Sequence, residues 1–374
     1  MPSRVRVLYF VGSFEQGGTE RQVAELIANL PADRYEPHLA VCHSADQLGY
    51  RLPVASRTEL GAPRGPEPRT LVRLARLVHA LAPDLVHAFH DPQNSYARLA
   101  VRIAGRGKVI GSLRSTRLPD RTLRRERLTA RLGAAVIVNS AGIADELLRA
   151  RAGAARVHVV HNGVDVGRFR PLGADERARE RRRFGMTGPT FVVPARVARQ
   201  KNQLAVVRAV ASMVRRGAWP RSARVIFAGR PEPHTRYAWW VAAAARAAGV
   251  AHVVSRIDPL IDVESLVGAA DAVLLPSSYE GLPNAVIEAL ACGTPCIVSS
   301  AANADGLVSH LRTGVVLADT SSAAIASGML AFARGAEAIR ATALALREAF
   351  ARRFAVQRMV ADTCAVYERV LSTP

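Results

Sequence analysis

The chain has 374 residues, 49% of them hydrophobic, and a formal charge of +20. That length is too great for one ordinary domain and comfortable for two with sizeable cores. No apolar stretch approaches the about 20 residues that span a bilayer, and aromatic residues are too scarce, at 5%, to supply the stacking platforms of a nucleic-acid binder.

Met1-Pro2-Ser3-Arg4 runs directly into a strand-like segment without a signal-peptide cleavage site. Four cysteines (Cys42, Cys292, Cys296, Cys364) suit reduced thiols and a cytosolic home. Cys292 and Cys296 have no His or Cys companions nearby, so no metal site is expected. Of 51 basic residues only Lys108 and Lys201 are lysine, a skew that reads as coding bias. The basic excess still favours anionic partners.

In the first half, strands are expected over 5–11, 37–42, 85–88, 109–112, 135–139 and 157–161, and helices over 19–30, 70–81, 94–104, 121–132 and 141–149. This alternation implies βαβ units and a parallel sheet. Residues 57–69, rich in Pro and Gly, read as a surface loop. After the first strand comes Gly12-Ser13-Phe14-Glu15-Gln16-Gly17-Gly18-Thr19-Glu20-Arg21. It is not Gly-x-Gly-x-x-Gly, which weakens a dinucleotide reading. Gly17-Gly18 lets backbone approach a ligand closely, and Thr19 reads as a helix N-cap. His90-Asp91-Pro92 follows the strand at 85–88, and Arg114 the strand at 109–112. Arg114, Arg117, Arg121, Arg124, Arg125, Arg127 and Arg131 face only Asp120 and Glu126 in that stretch. They read either as a solvated helix face or as a contact for anionic lipid or an acidic acceptor.

The second half opens with His161-Asn162-Gly163-Val164-Asp165, Phe169-Arg170-Pro171 and a charged stretch over 175–183. Strands are then expected over 190–195, 224–228, 252–254, 272–275, 296–298 and 315–317, with helices over 202–215, 237–248, 263–268 and 283–291. Three helices, over 322–334, 337–352 and 356–371, complete the chain. Arg196 and Lys201 lie between a strand and a helix, where paired cations can neutralise a departing phosphate. The segment Ser277-Ser278-Tyr279-Glu280-Gly281-Leu282-Pro283-Asn284-Ala285-Val286-Ile287-Glu288 reads as loop then helix, with Pro283 in the first turn and Gly293 just past the end. Asn284 and Glu288, four apart, share a face. The helix N-terminus offers a seat for a diphosphate, and a carboxylate beside it can accept hydrogen bonds from sugar hydroxyls.

The Glu280-to-Glu288 segment resembles the Glu-x7-Glu signature of the retaining glycosyltransferases of family four. The motifs at Gly17-Gly18, His90-Asp91-Pro92, Asn162–Pro171 and Arg196/Lys201 are similar to that family's in the same order. The resemblance implies a GT-B fold, α/β, with two Rossmann-like domains facing across a cleft. It implies an acceptor-binding domain over 1–165, a nucleotide-sugar-binding domain over 166–352, and a C-terminal helix over 353–374 that crosses back to the first. It implies transfer of a sugar from a nucleotide-diphospho-sugar, most simply UDP-linked, to a hydroxyl acceptor without metal or other cofactor. Glu280, His90, Arg196 and Lys201 would serve the chemistry. Gly17, Gly18, Ile257, Gly281, Leu282, Pro283, Asn284 and Glu288 would join Arg196, Lys201 and Glu280 on the donor, with Glu288 on its ribose. His90 and Arg114 would face the acceptor. The sequence departs from the family at Ala195, at Gly229-Arg230-Pro231-Glu232, at Ser255-Arg256-Ile257 and at Ala301–Gly306. A nucleotide-sugar 2-epimerase or a phosphorylase of the same fold is the alternative enzyme, and a non-enzymatic basic binding protein the alternative class. A cytoplasmic protein, peripheral at the inner face of the membrane, is the expected location.

Overall fold

The computed structural model describes residues 4–14, 17–43, 51–62, 67–152, 156–258 and 262–373. The chain divides into two compact units, one of Met1–Gly163 with Val356–Pro374, the other of Val164–Ala355. Each is built on a wholly parallel sheet.

The first unit carries β1 (Val5–Val11), α1 (Gly18–Ala28), β2 (Tyr35–Val41), β3 (Ser56–Glu59), α2 (Pro68–Leu81), β4 (Leu85–Phe89), α3 (Gln93–Ala104), β5 (Lys108–Leu113), α4 (Asp120–Thr129), β6 (Ala135–Val138), α5 (Ala141–Arg149) and β7 (Val157–Val159). Its strand order is β3-β2-β1-β4-β5-β6-β7. Every residue of β4 and β6 is buried, as strands covered on both faces require. One expectation needs correction. The stretch read as a loop over 57–69 contains most of β3 and the first two residues of α2. β3 escaped notice because Ser-Arg-Thr-Glu is a polar edge strand, only half shielded. Residues 63–66, in the middle of that predicted loop, lie outside the described residues.

The second unit carries α6 (Ala174–Arg183), β8 (Thr190–Val193), α7 (Gln203–Arg215), β9 (Arg224–Ala228), α8 (Tyr237–Ala247), β10 (Val254–Ile257), α9 (Val263–Ala269), β11 (Ala272–Leu275), α10 (Asn284–Ala291), β12 (Cys296–Val298), β13 (Gly314–Val316) and α11 (Ser322–Phe354). Its strand order is β10-β9-β8-β11-β12-β13. The charged stretch over 175–183 is helix α6. None of its residues is buried, so it has no apolar period to read; Arg177 and Arg181 fasten it to Asp271 at 2.8 and 3.0 Å. β10 lies later than the apolar run at 252–254, because Ser255 and Arg256 are exposed on an edge strand. Residues 322–352 form one helix rather than two. Phe332 and Ile339, on either side of Gly335, are buried in the same core, and one helical glycine costs only about 1 kcal/mol. Ala355, with extended backbone, ends α11. The last helix, α12 (Val356–Ser372), belongs to the first unit, where Met359, Val360, Tyr367 and Val370 join the core beside β1.

Strand order reverses between β1 and β4 in one sheet and between β8 and β11 in the other. Such reversals open a crevice at the carboxyl ends of the strands, where open α/β sheets bind ligands.

Candidate functional site

In the second unit the residues singled out by sequence gather at the β8/β11 reversal. Ser278 N–H donates to the Gln200 carbonyl at 2.8 Å, and Gln200 Nε2 donates to the Tyr279 carbonyl at 2.7 Å. The loop after β11 is thereby clipped to the turn after β8. This registers Lys201 Nζ against Glu280 Oε1 at 2.5 Å, with the two side chains only 16% and 9% exposed. Asn202 follows in the left-handed region (φ 59°), which Asn tolerates better than most residues, and its Nδ2 donates to the Thr320 carbonyl at 2.8 Å.

Gly281, Leu282 and Pro283 are buried, and α10 starts at Asn284. Pro283 is therefore the N-cap rather than a first-turn residue. Pro283 makes no side-chain cap bond, and the Val286 and Ile287 N–H groups return to its carbonyl at 3.1 and 3.3 Å. Glu288 is buried in the second turn, four residues beyond the half-buried Asn284. Gly293, just past the helix, takes the left-handed φ of 67° expected there.

Arg196 is half exposed, and its guanidinium stands 3.8 Å from Glu232. Its backbone is fixed from two sides. Gln203 Nε2 donates to the Arg196 carbonyl at 2.8 Å, and Val197 N–H donates to the Arg230 carbonyl at 2.8 Å. Gly229 makes that second contact possible, since a Cβ there would lie 2.2 Å from the Ala195 carbonyl oxygen. Ile257 ends β10 and accepts the Gly229 N–H at 3.2 Å. Sequence reading counted Gly229 as a poor motif match and did not single out Glu232.

In the first unit the β1/β4 reversal gathers the other set. Gly17, in extended backbone, is the N-cap of α1, and Gly18 its first residue. Glu15 and Gln16 of that loop lie outside the described residues. Thr19 is inside the helix, not its cap, and its Oγ1 is 2.7 Å from His90 Nε2. His90 has a positive φ of 69° and donates its N–H to the Ser112 carbonyl at 2.9 Å. Burial and the nearby Arg114 charge hold its ring pKa down to about 4, so the imidazole is neutral at physiological pH. Arg114 Nη1 donates to Asn162 Oδ1 at 2.7 Å, and its guanidinium lies 5.4 Å from the centre of the Phe89 ring. Burial lowers its pKa to about 10. His90 and Arg114 line one cavity of about 370 Å³. Beneath them a buried polar chain runs from Tyr9 through Tyr367 and His87 to Ser112, with links of 3.1, 2.6 and 2.9 Å. Sequence alone gave no sign of it, because Tyr367 arrives from α12.

The basic stretch over 114–131 is not one solvated face. Arg114 precedes α4. Arg125 pairs with Asp91 at 2.9 Å, and Arg127 donates to the Ala150 carbonyl at 2.7 Å. Glu126 points inward to a fully buried ion pair with Arg98 at 2.8 Å. All the arginines of this stretch except the half-buried Arg114 are nonetheless exposed.

Comparison with known proteins decides the family. The descriptions "Glycosyltransferase Family 4" and "Glycosyl transferases group 1" match residues 16–168 and 188–334. The chain belongs to the family-four glycosyltransferases. The D-inositol 3-phosphate glycosyltransferase of Actinosynnema mirum is 33% identical over 189 residues, 48% of this chain and 45% of that protein. The alpha-maltose-1-phosphate synthase of Mycolicibacterium smegmatis is 26% identical over 259 residues, 66% of this chain and 65% of that one. The match thus spans about half the length of the first and under two thirds of the second. Among solved structures, Anabaena HepE in complex with UDP-glucose superposes with a TM-score of 0.83 at 19% identity, covering 98% of this chain and all of that one (100%). The sucrose-phosphate synthase of Thermosynechococcus elongatus gives 0.81 at 18% identity, covering 99% and 100%. These likenesses and the two parallel-sheet units give this family member the GT-B fold. Among the described residues no helix is long and apolar enough to cross a membrane, and no group of three His, Cys, Asp or Glu could hold a metal ion.

Proposed function

We propose that this family-four chain is a retaining glycosyltransferase that moves a hexosyl group from a nucleotide-diphospho-sugar, UDP-linked in the first instance, to a hydroxyl acceptor without a metal ion. The observation that carries the reading is the Lys201–Glu280 pair at the β8/β11 reversal, beside the start of α10 at Pro283. Helix N–H groups, Arg196 and Lys201 suit a diphosphate. Glu280, at 7% exposure and held by a cation, suits a sugar hydroxyl, and Glu288 suits the ribose. Ile257, Gly281, Leu282, Pro283 and Asn284 would complete the donor's surroundings, with Gly17-Gly18 contributing close backbone from α1.

In this reading the acceptor oxygen bonds to the anomeric carbon on the face that the phosphate leaves. The C–O bond to phosphate breaks with its electron pair, and the departing phosphate oxygen takes the acceptor proton. Arg196 and Lys201 offset the charge that develops on it, as a metal ion does in other transferases. His90, neutral, would orient a hydroxyl rather than carry charge, and Arg114 would face the acceptor. A bound UDP-glucose in a structural neighbour supports the donor class. The four buried, free cysteines support a reducing, cytoplasmic setting, and the exposed arginines of α4 a peripheral contact with anionic membrane.

Thermal-shift titration with UDP-, GDP-, ADP- and dTDP-sugars tests the donor, since a ligand at a hundred times its dissociation constant adds about 2.7 kcal/mol. NMR of the product then reads the anomeric configuration. An inverted linkage overturns retention. Conversion of the donor to its 2-epimer with no acceptor present overturns transfer in favour of the epimerase.

A further inference from the structure

On the second unit α7 and α8 lie side by side, and each turns one face into the core: Val206, Val207 and Val210 from α7, Tyr237, Val241 and Ala245 from α8. Outside that core the two helices leave a groove of about 380 Å³. α8 lines it with Trp240, Ala243, Ala244 and Ala247, spaced three and four apart along one side of the helix. Leu204 and Arg208, one turn apart, line it from α7, and Arg199 from the turn that precedes α7. Leu204 N–H donates to the Tyr237 hydroxyl at 3.0 Å, which ties the start of α8 to the start of α7 and fixes the groove.

Two features set this face apart from ordinary surface. Trp239 and Trp240 are 57% and 52% exposed, with their rings edge to face and 5.1 Å between centroids. Adjacent exposed indoles beside an apolar groove mark a contact site rather than scattered surface residues. The second feature is charge. Between Val197 and Ile257 the sequence holds one acid, Glu232, and that acid stands 3.8 Å from Arg196. Arg199, Arg208, Arg236 and Arg246 are all exposed. Among the described residues none of these four has an acidic partner; Arg199 and Arg236 lie instead over the rings of Tyr237 and Trp239, at 5.8 and 5.9 Å.

An apolar groove rimmed by unpaired guanidiniums and flanked by indoles complements an amphiphile with an anionic head. Indole settles where headgroups meet acyl chains, because its ring is apolar and its N–H is a donor. Arginine is attracted to the negative potential of the same layer. A second copy of this chain would bring the same positive charge to the groove and be repelled by it. We propose that this face of the second unit docks on an anionic lipid bilayer, with Trp239 and Trp240 in the headgroup layer, an acyl chain in the groove, and Arg199, Arg208, Arg236 and Arg246 meeting lipid phosphates. The inference depends neither on the transfer reaction nor on the α4 arginines of the first unit. It assigns membrane contact to the unit that carries Lys201 and Glu280, and to inserted aromatic rings as well as to charge.

The chain has three tryptophans, so its own fluorescence reads the site. Trp219 packs against the core, 6.2 Å from the Phe191 ring, and its Nε1 donates to the Ala223 carbonyl at 3.2 Å; Trp219→Phe removes its background emission. The full chain with that substitution is mixed with vesicles of phosphatidylglycerol or of phosphatidylcholine, with and without bromine on the acyl chains. Phosphatidylglycerol should shift the emission to the blue, its brominated form should quench it, and both effects should fade as salt rises. Phosphatidylcholine should do neither. In cosedimentation, Arg208→Ser should weaken binding about fivefold, the equivalent of about 1 kcal/mol. Trp239→Ser with Trp240→Ser should weaken it by more than about tenfold, as two indoles lose their contact with lipid. Both changes lie on an exposed face and should leave the melting temperature in place. Emission unmoved by phosphatidylglycerol overturns the proposal even where the protein floats, since flotation without quenching puts the contact elsewhere, and its loss on Arg121→Ser with Arg124→Ser then assigns it to α4. Equal quenching by both lipids overturns the part given to the arginines. Emission already blue without lipid, in a dimer that Trp240→Ser dissociates on sedimentation, overturns the proposal in favour of a second copy.

Discussion

Replacing Glu280 by Gln probes the residue that the structure holds most tightly in the donor half-site. The substitution preserves size and removes one negative charge from a pair whose side chains are 16% and 9% exposed. Solvent screens such a pair little, so a charge-assisted hydrogen bond worth about 1.5–3 kcal/mol is lost. If Glu280 makes an equivalent bond to the donor sugar in the transition state, the rate of transfer falls about ten- to a hundredfold. UDP, which has no sugar to offer, should bind within about threefold of wild type by calorimetry. A Lys201→Met partner completes a double-mutant cycle on kcat/KM. Because Lys201 fixes Glu280 at 2.5 Å, the two changes should be far from additive, with coupling of about 1.5–3 kcal/mol. Wild-type turnover in Glu280→Gln, or strict additivity with Lys201→Met, refutes the assignment.

Glu288→Ala should weaken UDP itself about tenfold, because its place is expected at the ribose; unchanged UDP affinity removes that role. Gly229→Ala forces a Cβ to within 2.2 Å of the Ala195 carbonyl oxygen, so the melting temperature should fall by an amount corresponding to about 1–3 kcal/mol and the donor KM should rise as the Arg196 loop shifts. Activity should survive EDTA; loss in chelator with recovery in magnesium or manganese contradicts the roles of Arg196 and Lys201. Stability should fall as pH drops through the window from 6.5 to about 4, where the unfolded chain protonates His90 and the folded chain resists. The difference is worth about 3 kcal/mol, and urea midpoints at several pH values should show a smaller drop for His90→Asn, which tolerates the positive φ.

The pattern of elements was largely legible because parallel strands buried on both faces are apolar throughout: β6 and β11 announce themselves, and β1 does from Val7 onward. The elements that hid are those whose partners are charges. α6 is a helix because Arg177 and Arg181 reach Asp271, which lies far along the chain, and β3 is a strand because β2 offers it an edge. The donor residues were legible for a different reason. Lys201 and Glu280 each sit just after a buried strand, and a strand's carboxyl end is where this architecture exposes backbone and side chain to a ligand.

What sequence does not carry is the direction in which a charge faces. Glu126 stands among arginines and reads as their surface counter-ion, yet it is fully buried against Arg98, whose Nε and Nη2 have no other partner among the described residues. Asp91 reads as part of a motif beside His90, yet it is the acid that draws Arg125 and Thr122 of α4 toward β4. These two carboxylates fix α4 by opposite means, one from the core and one from the rim of the cavity. Removing either should therefore disturb α4 differently. Glu126→Ala leaves a buried guanidinium uncompensated and should cost about 3–5 kcal/mol of stability. Asp91→Asn frees a half-exposed arginine at small cost to the fold and raises the positive charge lining the cavity. Should Asp91→Asn destabilise as much as Glu126→Ala in urea unfolding, Asp91 is an anchor of the core and not a residue of the cavity's rim.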